Sequence, residues 1–252
     1  MCGRLNVTED PLARVFVLLT GAGFPGETDH NVAPTQTVWV VTEQAAESRM
    51  RMSGSGALER TEVATHPGLA RPMRWWLVPH WAADDKPAYA MFNARAETLG
   101  RSRAFRGAFE RRRCVVPVAG FYEWLRDGKR RLPQHVEAAS GDALLLGGVW
   151  ERWTHGDAVL ESFAIVTTAV HPDLAFLHDR QPLLLDPDEA RQWLSSATGR
   201  EALEALLAPA LPVPLQVTPV SEYVNNARHK GEGCVVATGN PQYLQASPRH
   251  LH

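Results

Sequence analysis

The stretch CVVPVAGFYEWLRDGKRRLPQHVEA, residues 114–138, decides the fold. Apolar runs with turn residues between them predict three strands, at Cys114–Val118, Phe121–Leu125 and Gln134–Ala138. Gly120 interrupts the first two runs, and Asp127-Gly128 is a strong signal for a hairpin turn. Strands that follow one another this closely indicate a core rich in antiparallel β-structure.

Outward from this stretch, strands and short helices follow one another without an internal repeat or a long linker. Further strands are predicted at Met1–Val7, Val38–Thr42, Trp75–Val78, Ala143–Trp150, Ala158–Thr167 and Leu215–Val220. Helices are predicted from Thr8, as N-cap, to about Leu19, from about Ser102, and over Asp186–Leu194 and Glu201–Leu207. The polar segment Ala45–Pro72 is compatible with a hairpin. We predict one α+β domain over residues 1–238 and a mobile tail over residues 239–252.

Composition and charge suit an ordinary globular domain. The chain has 252 residues, of which 44% are apolar and 21% charged, and a chain of this length can bury a full core. Its formal net charge of -2 argues mildly against nucleic-acid binding. A local basic groove is still compatible with this charge. The candidate arginines, which would equally suit a solvated helix face, are Arg95, Arg101, Arg103, Arg106, Arg111, Arg112 and Arg113.

The three cysteines, Cys2, Cys114 and Cys234, are odd in number and widely spaced. This pattern indicates neither a disulfide framework nor a zinc site, and it suits a reducing compartment. The N-terminal segment lacks a signal-peptide pattern, and no apolar run reaches the roughly 18 residues of a membrane span. We expect a cytoplasmic protein, associated with the nucleoid if bacterial, that uses no metal or organic cofactor.

Cys2 could carry unusual chemistry once Met1 is removed, because its α-amine and thiol would then sit on adjacent carbons. An α-amine has a pKa of about 8, against about 10.4 for lysine, so part of it is nucleophilic at neutral pH. The amine can condense with an aldehyde to an imine, and the thiol can close on the imine carbon to give a thiazolidine. Position alone favours the simpler interpretation, in which Cys2 is merely a small residue after Met1.

Three further motifs carry groups suited to recognition or proton transfer. Asn93 opens the sequence NARAET, and amide and guanidinium groups suit sugar and phosphate recognition. Glu123 lies between aromatic residues in GFYEW, where partial desolvation would raise its carboxyl pKa. His178 opens HDRQP and can act as acid or base near neutrality. Each motif taken singly is equally compatible with a loop, a surface strand or a structural turn.

Taken in order, these motifs resemble the SOS response-associated peptidase (SRAP) family of abasic-site shielding proteins. The matching segments are Met1–Arg4, Asn31–Thr35, Asn93–Thr98, Gly120–Trp124, His178–Pro182 and Val220–Asn226. The resemblance implies a barrel-like β core with flanking helices. It also implies a function, the covalent shielding of abasic sites in single-stranded DNA, and a monomeric protein.

The resemblance assigns a role to each candidate catalytic residue. Cys2 would attack the ring-opened aldehyde of an abasic deoxyribose, and Asn93 would position the N-terminus and the sugar. Glu123 would carry or orient protons for the Cys2 amine. His178 would help to open the sugar ring, assist imine formation and serve the reverse reaction. A self-processing peptidase activity and a weak lyase activity are also implied.

The resemblance further implies a set of DNA contacts. Residues that match the family's phosphate-binding positions are Arg4, Arg95, Arg103, Arg180 and Thr167. Pro34 and Trp81 match positions that support or stack on the DNA near the lesion. Two residues depart from the family pattern: Trp76 replaces an expected glycine, and His30 replaces an aromatic residue before Asn31.

Two other functions are compatible with parts of the sequence. An N-terminal-nucleophile amidohydrolase of the glutamine amidotransferase type can also begin Met-Cys-Gly. No glycine-rich oxyanion segment of the expected kind is present, and Glu123 and His178 would go unexplained. A non-covalent binder of single-stranded or modified DNA would use the same arginines and tryptophans without needing Cys2.

Overall fold

The computed structural model describes residues 2–43, 48–52, 58–62, 68–86 and 89–249. The strands are β1 (Leu5–Val7), β2 (Asp29–Val32), β3 (Thr37–Glu43), β4 (Ser48–Met52), β5 (Leu58–Glu62), β6 (Gly68–Trp75), β7 (Asn93–Arg95), β8 (Arg113–Val118), β9 (Gly120–Asp127), β10 (Arg130–Ala138), β11 (Leu144–His155), β12 (Ala158–Ala169), β13 (Arg180–Pro182), β14 (Leu184–Leu185), β15 (Leu215–Pro219) and β16 (Gln242–Leu244). The helices are α1 (Glu9–Thr20), α2 (Ala96–Leu99), α3 (Arg106–Arg111), α4 (Pro187–Leu194) and α5 (Arg200–Leu206). No helix within these ranges has both the length and the apolar character needed to cross a membrane.

Five of the described strands close into a barrel in the order β12–β6–β3–β8–β11, with β11 pairing back onto β12. Four of the pairings are antiparallel, and β6 with β12 is parallel. Closure leaves these five strands without a free edge. Trp75 and Phe163, which face each other across the parallel pair, are fully buried. The prediction of a single α+β domain with a barrel-like β core is confirmed.

A second, antiparallel sheet in the order β16–β15–β10–β9–β1–β2 is joined directly to the barrel. Ala119 alone separates the barrel strand β8 from β9. At Gly120 a Cβ atom would lie 2.3 Å from His135 Nε2 and 2.6 Å from the Val136 carbonyl oxygen, so only glycine allows this close approach. The predicted Asp127-Gly128 hairpin turn joins β9 to β10, and Gly128 takes the left-handed backbone conformation at φ 58°.

Some predicted boundaries are wrong. The strand predicted over Trp75–Val78 instead ends at Trp75, because the chain leaves β6 there and the Leu77 N–H bonds to the Met91 carbonyl (3.1 Å). The helix predicted from about Ser102 begins at Arg106, after a turn that Ser102 closes. Part of the hairpin anticipated in Ala45–Pro72 is present as β4 paired with β5, while residues 44–47, 53–57 and 63–67 lie outside the described residues.

Arg113 belongs to the core and not to a basic surface. Its side chain is buried and donates to the carbonyls of Phe109, Glu110, Trp193 and Ser195 at 2.6–2.8 Å. These carbonyls lie at the C-terminal ends of α3 and α4, where a positive charge is favourable. The arginine run of residues 95–113 is therefore divided between packing and surface roles.

Residues 239–249, part of the tail that we predicted to be mobile, make specific contacts with the rest of the domain. Strand β16 pairs with β15, and Ser247 and Leu211 form a further antiparallel bridge. Arg249 then inserts a buried guanidinium that contacts both carboxylate oxygens of Glu189 at 2.9 and 3.0 Å. It also donates to the Leu184 and Ala208 carbonyls. The tail is thus docked by a specific polar anchor.

A buried imidazole lies behind the close approach at Gly120. His135 is 4% exposed, and its Nε2 accepts a hydrogen bond from Asn6 Nδ2 (3.1 Å), whose Oδ1 in turn contacts His30 Nδ1 (3.1 Å). Burial, together with the nearby His30, lowers the pKa of His135 to about 4. The folded protein therefore holds this ring neutral at neutral pH.

We predict that His135 makes the fold sensitive to mild acid. Below its unfolded pKa of about 6.5 the unfolded chain takes up a proton that the folded ring accepts only near pH 4, so stability falls as pH drops through this window. Between pH 7 and pH 5 wild type should lose about 2 kcal/mol more than His135→Gln in urea unfolding. The exposed His155→Gln variant should follow wild type. Equal losses in wild type and His135→Gln would contradict the assignment.

We also predict that the Arg249 anchor is a strong stability determinant. Arg249→Met leaves Glu189 buried without its countercharge and should cost about 3–5 kcal/mol in chemical denaturation. Adding Glu189→Gln should recover part of that loss. The exposed pair Arg200–Glu204 provides the control, since Arg200→Met should cost less than about 1 kcal/mol. A cost for Arg249→Met as small as for Arg200→Met would show that the tail does not anchor the fold.

Candidate active site

Cys2 lies just before β1 and is completely buried. Asn93, the first residue of β7, holds it by a hydrogen bond from Nδ2 to the Cys2 carbonyl oxygen (2.8 Å). The parallel pairing of β7 with β12 fixes Asn93 opposite Ile165 on the barrel wall. Among the described atoms the buried Asn93 Oδ1 has no hydrogen-bond partner. An unused acceptor beside Cys2 is a position for a ligand donor.

Glu123 reaches the same site from β9 in the second sheet. The β1 backbone runs beside β9, with the Tyr122 N–H bonded to the Arg4 carbonyl (3.0 Å), and the Glu123 side chain is 4% exposed. Burial raises the pKa of the Glu123 carboxyl, and the positive amino terminus and His178 partly oppose this rise. Such a carboxyl can hold and release a proton closer to neutral pH than an exposed glutamate.

His178 approaches from the turn before β13. Its Nδ1 accepts a hydrogen bond from the Arg180 N–H (3.0 Å) and lies 2.6 Å from Asp179 Oδ1. A backbone N–H and a carboxylate therefore both lie within reach of this ring nitrogen. His178 contributes to the pKa of Glu123, which it lowers, so the two side chains lie near each other.

The Cys2 thiol is held in its neutral form. Burial raises the pKa of this thiol well above its ordinary value, and the negative charge of Glu123 raises it further. The positive amino terminus and a hydrogen bond from the Arg4 backbone oppose the shift without cancelling it. The site therefore does not present a thiolate, and an amine beside Glu123 would be the stronger nucleophile.

Arg180 and Thr167 form one unit with a carboxylate that our sequence analysis did not single out. The Arg180 guanidinium makes a bidentate ion pair with Glu97 (2.8 and 3.0 Å) and donates to the Thr167 carbonyl and hydroxyl. Its hydrogen bond holds the pKa of Glu97 below the usual value. Thr167 is fully buried, so in this structure it orients Arg180 instead of facing solvent.

Trp81 and Arg103 are brought together on the surface. The Arg103 guanidinium carbon lies 4.3 Å from the centre of the Trp81 ring, which is 43% exposed, in a cation–π arrangement. Arg95 is exposed on β7, opposite Thr167 in register. Pro34 lies in a tight turn before β3 that is closed by the Gln36 N–H and the Ala33 carbonyl (3.2 Å).

Arg4 is engaged inside the protein. It donates to Asn31 Oδ1 (2.5 Å) and to the Val224 carbonyl (2.8 Å), and it stacks 5.7 Å from the centre of the Trp124 ring. Asn31 in turn donates to the Asn226 carbonyl (3.0 Å). These hydrogen bonds hold β2 against the segment after β15. They give a structural reason for two of the short motifs, the one at Asn31 and the one that ends at Asn226.

The structure thus gathers Cys2, Asn93, Glu123 and His178 at the junction of the barrel and the second sheet. Asn93 contacts the backbone of Cys2, the charge of Glu123 acts on its buried thiol, and the charge of His178 acts on Glu123. In the described part of the chain, no group of three or more His, Cys, Asp or Glu side chains is arranged to hold a metal ion. Of the residues that matter here, sequence reasoning missed Glu97, although it lies within the quoted NARAET motif.

Comparison with known proteins gives relatives of similar length. Residues 1–227 match the family model described as SOS response associated peptidase (SRAP). The abasic site processing protein YoqW of Bacillus subtilis is 30% identical over 238 residues, covering 91% of this chain and 96% of the relative. The abasic site processing protein YoaM of the same organism is 31% identical, covering 79% and 81%. The abasic site processing protein YedK of Escherichia coli is 32% identical over 64% of this chain and 71% of the relative.

Solved structures share the fold at low sequence identity. A protein from Bacteroides thetaiotaomicron superimposes with a TM-score of 0.68 at 18% identity, covering 89% of this chain and 94% of that one. A protein from Bordetella bronchiseptica gives a TM-score of 0.65 at 18% identity, covering 82% and 94%. With a family model that spans nine tenths of the sequence and relatives that match over most of their own length, this chain belongs to the SOS response associated peptidase (SRAP) family.

Proposed function

We propose that this protein binds single-stranded DNA and links covalently to abasic sites through the α-amine and thiol of Cys2, after Met1 is removed. The observation that carries the proposal is the contact of Cys2 with Asn93 beside the buried Glu123. Relatives whose names describe abasic site processing support the substrate. The adduct would shield the lesion from strand cleavage. It requires neither a metal nor an organic cofactor.

The covalent chemistry begins at the amine. An abasic deoxyribose in its ring-opened form presents an aldehyde at C1′, and the Cys2 nitrogen adds to this carbon. The Glu123 carboxylate passes the two protons of the nitrogen, one after the other, to the former carbonyl oxygen. This oxygen leaves the carbinolamine as water, and an imine remains. The neutral Cys2 thiol then adds to the imine carbon and transfers its proton to the nitrogen, which completes a thiazolidine ring. Both bonds form within one residue, so the second step is effectively unimolecular.

His178 is suited to the step before this one. The cyclic form of the abasic sugar must lose the proton of its C1′ hydroxyl and gain one on the ring oxygen before the aldehyde is free. An imidazole can donate or accept a proton, and the ring of His178 is half-buried beside the Asp179 carboxylate. The same residue would serve the reverse reaction. The imine is also the species from which a weak lyase reaction would proceed.

DNA binding would depend on local charge, because the chain as a whole carries a net charge of -2. Arg95 and Arg103, which are exposed, would contact phosphates together with Arg180, so affinity should fall as salt rises. Trp81, backed by Arg103, would stack on a base near the lesion, and Pro34 would support the strand. Arg4 and Thr167 would act indirectly, by holding the loops on which the contacts depend.

Membership of the family leaves little support for the amidohydrolase alternative, whose test is glutamine hydrolysis. The non-covalent binder differs from our proposal only in its indifference to Cys2, so the first prediction below separates them. The peptidase activity that the family name describes would, in this proposal, be the release of Met1, by the protein itself or by a cellular aminopeptidase. We retain monomeric state and cytoplasmic location as predictions.

We predict that wild type, confirmed by mass to lack Met1, gives a heat-stable shifted band with a single-stranded oligonucleotide that carries one abasic site. Cys2→Ala should give no such band, because a thiazolidine needs the thiol. It should still be trapped by borohydride, because its free α-amine forms the imine. The control Cys234→Ala should behave as wild type. Absence of a band from wild type lacking Met1 would overturn the covalent mechanism.

We predict that Glu123→Gln slows crosslinking at pH 7 by about 100-fold or more, the usual contribution of a proton-transfer group. In wild type the rate should fall more steeply once the pH drops below the raised pKa of Glu123, since both the carboxylate and the amine become protonated. The Gln variant should retain only the amine's shallower dependence. Glu137→Gln is the matched control, because burial raises the pKa of Glu137 as well but its side chain contacts Gln216. Identical pH profiles for wild type and Glu123→Gln would exclude Glu123 as the proton carrier.

A further inference from the structure

Trp76, the tryptophan that replaces the family's expected glycine, builds a feature that the chemistry above does not use. Its ring packs 5.2 Å from the Phe92 ring, and its Nε1 donates to the Tyr89 carbonyl (3.0 Å). This bond ties the backbone at Tyr89 to the end of β6. Tyr89 is 74% exposed, the highest fraction among the exposed large hydrophobic residues of the described chain. Its ring is therefore available for contact with a ligand.

Trp76 and Tyr89 are two walls of a surface cleft of about 250 Å³. Its volume lies below the roughly 300–1,000 Å³ of pockets for drug-sized ligands, so it suits a single flat ring system. The residues of its lining that matter here are Trp76, Trp81, Asp84, Lys86, Tyr89 and Met91. Three aromatic rings around one small opening are the usual means of holding an unpaired base.

The cleft is joined to the active site by a very short piece of chain. Met91 on its wall is two residues from Asn93, which bonds to Cys2. Two residues of extended chain span at most about 7 Å. The Met91 carbonyl is itself fixed by the Leu77 N–H (3.1 Å), and the Phe92 carbonyl by Trp75 Nε1 (2.9 Å). The cleft therefore lies close enough to Cys2 for a neighbouring nucleotide of the same strand to reach it.

Positive charge lies on the side of the cleft next to Trp81, where it could contact the phosphates of a DNA strand. Arg103 covers the Trp81 ring, and Lys86 adds a second cation at the rim. Asp84 also lies on the rim and accepts a hydrogen bond from the Lys86 backbone (2.9 Å). Arg74 neutralises the neighbouring Asp85 (3.3 Å). The apolar floor with cations beside Trp81 favours a neutral base attached to a phosphate backbone.

We propose that this cleft binds the nucleobase of a nucleotide next to the abasic site, held between Trp76 and Tyr89. The inference rests on the proposed function, since it assumes that the same strand occupies Cys2. It goes beyond it by giving this chain a base subsite to which Trp76, a departure from the family pattern, contributes one wall. Stacking on both faces without base-edge hydrogen bonds would make the subsite tolerant of sequence.

The test uses non-covalent binding, so that it does not depend on crosslinking. The probe is a single-stranded oligonucleotide with a tetrahydrofuran abasic analogue, which has no aldehyde, flanked on either side by the fluorescent base 2-aminopurine. Wild type should quench the fluorescence on the side that occupies the cleft. Tyr89→Ala should remove most of the quenching and weaken binding about tenfold. Tyr243→Ala, on the distant β16, is the matched control and should leave both unchanged.

Two further measurements keep the result interpretable. Trp76→Phe preserves a ring but loses the Nε1 donor, and it should weaken binding less than Trp76→Gly does; thermal unfolding of each variant checks that the fold survives. Replacing the neighbouring base by a second tetrahydrofuran should weaken the binding of DNA to wild type. It should not weaken binding to Tyr89→Ala, because this variant has already lost the ring on which the base would stack. Equal losses in wild type and Tyr89→Ala, or quenching that Tyr89→Ala leaves intact, would overturn the base subsite.

The outcome separates this inference from the proposed function. Quenching by a protein that never crosslinks an abasic oligonucleotide would retain the subsite and reject the covalent mechanism. Crosslinking by a protein in which Tyr89→Ala has no effect on quenching or affinity would do the reverse. An effect of Tyr89→Ala that is equal for duplex DNA without a lesion would assign the cleft to general DNA contact and reject a subsite beside the abasic sugar.

Discussion

The close approach at Gly120 is the constraint on which the rest of the structure depends. One residue, Ala119, carries the chain from the barrel strand β8 into the second sheet, and the missing side chain at Gly120 lets β9 lie directly against His135 and the Val136 carbonyl. A larger residue would have to push the neighbouring strands β9 and β10 apart. Because Glu123 follows three residues later, the same contact delivers its carboxyl to the N-terminal strand and to Cys2.

Burial controls the chemistry at Cys2 by suppressing charge. The thiol stays neutral, the Glu123 carboxyl holds its proton more tightly than usual, and the Asn93 oxygen is left without a described partner. A neutral thiol is protected from oxidation and premature reaction, since the thiolate is the reactive form. In the order of steps that we propose, the thiol stays neutral until Met1 has been removed and the α-amine of Cys2 has reacted with an aldehyde.

The barrel strands hold Asn93 in place, whereas other segments near it lie outside the barrel. Closure of five strands fixes Asn93 against β12, while residues 76–86 and 89–92 lie outside the barrel strands. Arginines are used in the same divided way. Arg113 and Arg249 have buried side chains that anchor helices and the C-terminal segment, whereas Arg95 and Arg103 are exposed.

The sequence by itself determined the fold class, most of the strands, the Asp127-Gly128 turn and the family, because each is encoded in local periodicity, turn chemistry or ordered motifs. Only the tertiary structure decided which motif residues face one another. Glu97 forms an ion pair with Arg180. Arg4 donates hydrogen bonds to Asn31 and Val224 inside the protein. Arg249 anchors a tail that was predicted to be mobile. These contacts join residues 27 to 220 positions apart, and no local pattern records which distant carboxylate or carbonyl will reach a given arginine when the sheets pack.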